Sequence, residues 1–168
     1  MDRPAILAEV RNAGQRLVLL TGGEPLLQDE VCELAGDLLA DGRRVVLETS
    51  GTTGTVGLDR VPAGVVRVVD LKTPGSGLTE ADIDWAGIAG LDRDDELKAV
   101  CCDRRDYLWL RDLVRSDRLP PEVPVTVSPA WGEIEAQRLA EWILADRLAV
   151  RLQIQLHKVL WPAADGGV

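Results

Sequence analysis

Short apolar runs alternate with polar, glycine-bearing clusters along this chain, and that alternation constrains the fold more than any other feature. The runs Leu17–Leu20, Val45–Leu47, Val65–Val69, Asp95–Cys101, Val125–Val127 and Val150–Leu156 recur at roughly 20–30 residues, the length of a βα unit. Most are nearly all apolar, as expected of parallel strands covered on both faces. Helical spacing of apolar residues fills most of the gaps: Pro4–Ala13, Leu27–Ala40, Thr79–Ala86, Arg104–Arg115 and Glu133–Asp146. Gly14 and Asp41-Gly42 are stop signals for the first two. The connections after Glu48 and, less clearly, after Lys72 show no convincing helix. The pattern predicts an α/β chain, a parallel sheet of about six strands with few helices, in one domain over residues 1–168.

The polar clusters occupy one kind of position. Thr21–Pro25, Glu48–Gly51, Asp70–Gly77, Ser128–Gly132 and His157-Lys158 each follow the end of a predicted strand. In a parallel sheet those ends share an edge, and ligands bind there. The sharpest cluster closes the stretch LVLLTGGEPLL, Leu17–Leu27. Paired glycines allow positive φ and close approach of backbone to a ligand. Pro25 suits the entry to a helix, and Glu24 is a carboxylate at a strand end, where it also favours a helix N-terminus. Asp70 and Lys72 fall on the same side of an extended segment, as an ion pair or as ligand contacts. Ser50 is a turn cap or a contact, and Trp131 is packed or free to stack on a planar ring.

Charge and composition exclude several classes. A net charge of −9 argues against a nucleic-acid backbone as the main partner, though not against a small anion held by local cations. No apolar run reaches ~20 residues, so no transmembrane helix is expected, and the opening MDRPAILAEV is not a secretory signal. A cytoplasmic location is the expectation. Three cysteines, Cys32, Cys101 and Cys102, form neither a disulfide framework nor a CxxC or CxxxC metal motif. Walker, nucleophile-elbow, zincin and GxGxxG patterns are absent, and one histidine supports no nucleophilic set. No residue is assigned a catalytic or metal-ligating role.

Taken together, Thr21–Gln28, Glu48–Gly51, Asp70–Gly77, Asp95–Lys98 and Gln153–Lys158 resemble the 7-carboxy-7-deazaguanine synthases, radical S-adenosylmethionine (SAM) enzymes of queuosine and 7-deazapurine biosynthesis. The GGEP stretch is general to radical SAM proteins; the Asp70–Gly77 loop and the QLHK ending narrow it to this family. The resemblance covers essentially the whole chain and implies a partial parallel β/α barrel of the radical SAM type. It implies a carbon–nitrogen lyase that converts 6-carboxy-5,6,7,8-tetrahydropterin to 7-carboxy-7-deazaguanine. A [4Fe-4S] cluster cleaves SAM reductively to a 5′-deoxyadenosyl radical, Mg²⁺ assists, and the cofactors carry the hard chemistry. Implied SAM-binding residues are Gly22, Gly23, Glu24, Pro25, Ser50, Asp70, Leu71, Lys72, Ser128, Pro129, Ala130 and Trp131. Implied substrate contacts are Thr21, His157 and Val168. A flavodoxin- or ferredoxin-type electron donor and a homodimer are also implied.

One departure is large. The family's C-x-x-x-C-x-x-C cluster motif precedes GGEP, but only twenty residues precede Thr21 here and none is cysteine. The cluster ligands, the Mg²⁺ ligand and the first family strand are therefore missing, and the three cysteines do not map onto them. The expectation is an N-terminally truncated chain, inactive as given. The alternative is a cluster-less homologue that binds SAM or a pterin, or serves as a partner subunit.

Overall fold

The computed structural model describes residues 2–53 and 56–161. In chain order the elements are α1 (Arg3–Ala13), β1 (Leu17–Leu20), α2 (Val31–Ala40), β2 (Arg44–Thr49) and β3 (Val66–Leu71). Then follow α3 (Trp85–Ala89), β4 (Glu96–Cys101), α4 (Arg104–Val114), β5 (Val125–Pro129), α5 (Ala136–Asp146), β6 (Arg151–Leu152) and α6 (Leu156–Leu160). The six strands form one sheet, ordered β1 to β6 as in the sequence, and every pairing is parallel. This is the expected α/β architecture, consistent with a partial β/α barrel. Among the described residues, the two connections without a convincing helical pattern carry only 3-10 turns and the five-residue α3.

Sequential strand order has a physical consequence. Right-handed crossovers made always in the same direction put every connecting helix on the same face. That face is the core: Val45, Leu47, Val69, Leu71, Leu97 and Ala99 are buried there, packed with Leu38, Tyr107, Leu110 and Leu139 of the helices. The opposite face of β2, β3 and β4 is only half-buried. This corrects the expectation of strands covered on both faces, which holds only for β5, buried along its whole length.

Element boundaries also differ from the sequence reading. The helix expected over Leu27–Ala40 is broken into a 3-10 turn, Pro25–Leu27, and α2. The tight turn drives Leu26 into the core at 1% exposure and leaves Leu27 outside at 61%. The strand expected over Val150–Leu156 shrinks to β6, Arg151–Leu152, followed by α6. Gln153 N–H donates to the Val127 carbonyl at 2.9 Å. The next parallel bond would need an N–H from Pro129, which has none, so the ladder stops. His157 consequently sits on α6 rather than at a strand end.

Candidate functional site

Because all six strands are parallel, their C-terminal ends share one edge, and the GGEP loop leaves it from β1. Gly22 and Gly23 have φ of 90° and 52°, conformations open to glycine at little cost. A Cβ at either position would meet nothing within 4 Å, so the space beside this backbone is open. Glu24 ties the loop down. One carboxylate oxygen, Oε1, accepts from Leu26 N–H at 3.0 Å and from the Thr49 hydroxyl at 2.6 Å. The other, Oε2, accepts from Ser50 N–H at 2.6 Å. Burial pushes this carboxyl up, but the bonds from Ser50, Thr49 and Leu26 outweigh it and hold it below its ordinary value. The Ser50 hydroxyl adds a further bond to this carboxylate beside the Ser50 N–H. A cavity of about 820 Å³ runs past this loop, with Ile6, Val31 and Leu34 of α1 and α2 in its wall. Thr21, Gly22, Gly23, Glu24 and Pro25 themselves line its other side, so the cavity lies between the end of β1 and the two helices.

The second loop is anchored from beneath. Asp70 and Lys72 form an ion pair at 2.8 Å, half-exposed on both sides. Asp106, in the first turn of α4 and fully buried, accepts from Gly75 N–H at 2.7 Å and from Cys102 N–H at 2.9 Å. One carboxylate thus holds the β3 loop against the β4–α4 loop. Near the β2 end, Gly51 has φ of 64°, and a Cβ there would lie 2.5 Å from Val69 Cγ1. Only glycine lets the loop after β2 pass this close to β3.

Ser128 and Pro129 belong to β5, and Ser128 is buried at 3% exposure. Ala130 N–H donates to the Cys101 carbonyl at 2.8 Å, which holds the loop against β4. Trp131 projects with half its surface exposed. The structure thus brings Thr21–Pro25, Ser50, Asp70–Lys72 and Ser128–Trp131 to one edge. His157 is exposed on α6, and Val168 lies outside the described residues.

Register places further groups on the half-buried face, where in-register neighbours in a parallel sheet share a side. Glu48 pairs with Val68 and Val68 with Glu96; Asp70 pairs with Lys98 and Lys98 with Thr126. Glu48, Asp70, Glu96 and Lys98 therefore face the same open side. Lys98 and Glu96 received no role from the sequence. The period-2 pattern of ELKAVC was the available signal, outweighed by reading the strands as uniformly apolar.

No protein-family model matches the chain. It is 38% identical to a 7-carboxy-7-deazaguanine synthase of Koribacter versatilis, over all of this chain and 79% of that one. A second, from Chlorobaculum tepidum, is 37% identical over 89% of this chain and 68% of its own length. The chain belongs to the 7-carboxy-7-deazaguanine synthase family. QueE from Escherichia coli superposes with a TM-score of 0.65 at 24% identity, over 92% of this chain and 64% of that one. Streptococcus suis SuiB gives 0.58 at 14% identity, over 95% of this chain and 44% of its own. These two likenesses carry the fold alone.

The two main cofactors expected of the family fit this chain differently. The open space beside Gly22 and Gly23, with the Glu24 carboxylate next to it, suits the amino-acid end of SAM. A cluster does not fit the described residues, among which no group of three or more His, Cys, Asp or Glu is placed to hold a metal. Cys101 is fully buried, its thiol pushed up to about 12 by burial first and then by Asp106. Burial and Asp106 also push the half-buried Cys102 thiol up, and burial raises Cys32. Protonated thiols are poor metal ligands.

Proposed function

We propose that this chain acts in 7-carboxy-7-deazaguanine formation, as the part of a radical SAM carbon–nitrogen lyase that binds SAM and 6-carboxy-5,6,7,8-tetrahydropterin. The observation that carries this reading is the shared edge at which the open glycine pair, the tied Glu24, the Asp70–Lys72 pair and the exposed Trp131 converge. The Glu24 carboxylate attracts the SAM ammonium, and Gly22 and Gly23 let the methionyl chain lie against backbone. Pro25 and Ser50 border that end. Asp70, Leu71, Lys72 and Ser128 to Trp131 flank the remainder of SAM, with the indole stacking on the adenine. Thr21, His157 and Val168 contact the pterin.

The family's [4Fe-4S] cluster supplies the electron for SAM cleavage and Mg²⁺ assists ring contraction. Neither finds a ligand set among the described residues. A flavodoxin- or ferredoxin-type donor, a cytoplasmic setting and a homodimer complete the reading. Among the described residues no helix is long and apolar enough to cross a membrane.

The lack of a cluster ligand set among the described residues favours a second reading, a cluster-free SAM- or pterin-binding module. Anaerobic iron–sulfur reconstitution separates the two: a brown chromophore with 5′-deoxyadenosine release supports the lyase, and SAM binding without iron supports the module. Titration calorimetry with SAM tests the shared site. Gly23→Val should remove SAM binding while far-ultraviolet circular dichroism stays near that of the parent; unchanged SAM affinity would sink the assignment of this loop.

A further inference from the structure

Lys98 lies in the middle of β4 on the open face of the sheet, between Asp70 of β3 and Thr126 of β5 in register. It is half-buried and lines a cavity of about 220 Å³ with Asp70, Lys72, Ser76, Val100 and Cys102. Asp70 is already paired with Lys72 at 2.8 Å. The Lys98 side chain makes no hydrogen bond or ion pair with any described residue. Glu96 and Glu48 share its face but sit one row nearer the strand N-termini, and neither lines this cavity. The charges lining the cavity are Asp70, Lys72 and Lys98, one negative and two positive, in a chain whose net charge is −9. A half-buried ammonium without a counter-charge is disfavoured unless an anion or water completes it. The compact lysine head, with three donors, suits a single carboxylate.

We propose that Lys98 is the receptor for a ligand carboxylate in this cavity. The inference rests on the proposed function, whose two ligands each carry one such group: the 6-carboxylate of the pterin and the methionyl carboxylate of SAM. Lys98 donates to the carboxylate beside the Asp70–Lys72 pair, which lines the same cavity, and the open face of the sheet receives the rest of the ligand. A charge-assisted hydrogen bond of this kind carries roughly tenfold to a hundredfold in affinity.

The test is titration calorimetry on the parent chain, Lys98→Met and Lys98→Arg, against two ligand pairs. One pair is 6-carboxytetrahydropterin and tetrahydropterin; the other is SAM and decarboxylated SAM. Lys98→Met should weaken the carboxylated member of one pair about tenfold or more and leave its decarboxylated partner within about twofold. Lys98→Arg should restore most of the loss, and the affected pair identifies which ligand supplies the carboxylate. Lys98→Met binding both carboxylated ligands like the parent would overturn the role of Lys98 and leave the proposed function standing. Equal weakening of both members of a pair would reduce Lys98 to a structural residue. A parent chain that binds neither pair would remove the proposed function together with this inference.

Discussion

Removing the Glu24 carboxylate should free the GGEP loop from β2. Hydrogen bonds end on it at 3.0, 2.6 and 2.6 Å, and the Thr49 hydroxyl it satisfies is on a residue only 6% exposed. A net hydrogen bond is worth about 1 kcal/mol, more when one partner is charged, and partial exposure lowers the gain. Glu24→Ala should therefore cost about 2–4 kcal/mol. In a chain of this size that lowers the melting temperature by about 4–16 °C. The charge itself is readable through pH. The folded carboxyl is held below its ordinary value, because hydrogen bonds to the ionised form outweigh burial. Its contribution is thus fully present above the unfolded pKa near ~4.3 and is lost as pH falls through the lower folded value. Glu24→Gln, which keeps the volume, should be less stable than the parent in urea at pH 7. The gap should narrow as the pH is lowered below ~4. A Glu24→Ala protein within about 0.5 kcal/mol of the parent, or a Gln gap that does not change with pH, would refute the clamp.

Three further outcomes follow from the same geometry. Asp106→Ala should cost about 3 kcal/mol, because two N–H groups lose a buried charged acceptor. Hydrogen exchange should then accelerate at Gly75 and Cys102, and unchanged protection there would contradict the anchoring role. Gly51→Ala combines a left-handed backbone with a 2.5 Å approach to Val69, and should cost about 2–4 kcal/mol in chemical denaturation. Gly23→Ala, facing open space, should cost about 1 kcal/mol, and equal costs would disprove the distinction. Cys101, buried and with its thiol up near 12, should resist iodoacetamide at pH 8 while Cys102 is alkylated; peptide mass spectrometry showing equal labelling would overturn this.

Much of the fold was legible in the order of residues. Runs such as Leu17–Leu20 and Leu97–Cys101 are local signals, as are the Thr79 and Asp82 pair, which does form its reciprocal cap, with Thr79 N–H to Asp82 at 2.8 Å. That cap starts one 3-10 turn rather than a helix through Ala86, because Asp84 then caps the separate α3 by accepting from Gly87 N–H. The parallel sheet, the placement of the loops and the family motifs likewise depend on short spacings along the chain. Register and burial depend on contacts between distant segments. Sequence alone did not show that Glu24 reaches Thr49 and Ser50, or that Asp106 reaches back to Gly75. Nor did it show that Pro129 would end the last ladder, since that needs the strand partner to be known. The side on which Lys98 stands was settled by tertiary structure for the same reason. Alternation assigns it a face, but only six parallel strands with all crossovers on one side leave that face open to a ligand.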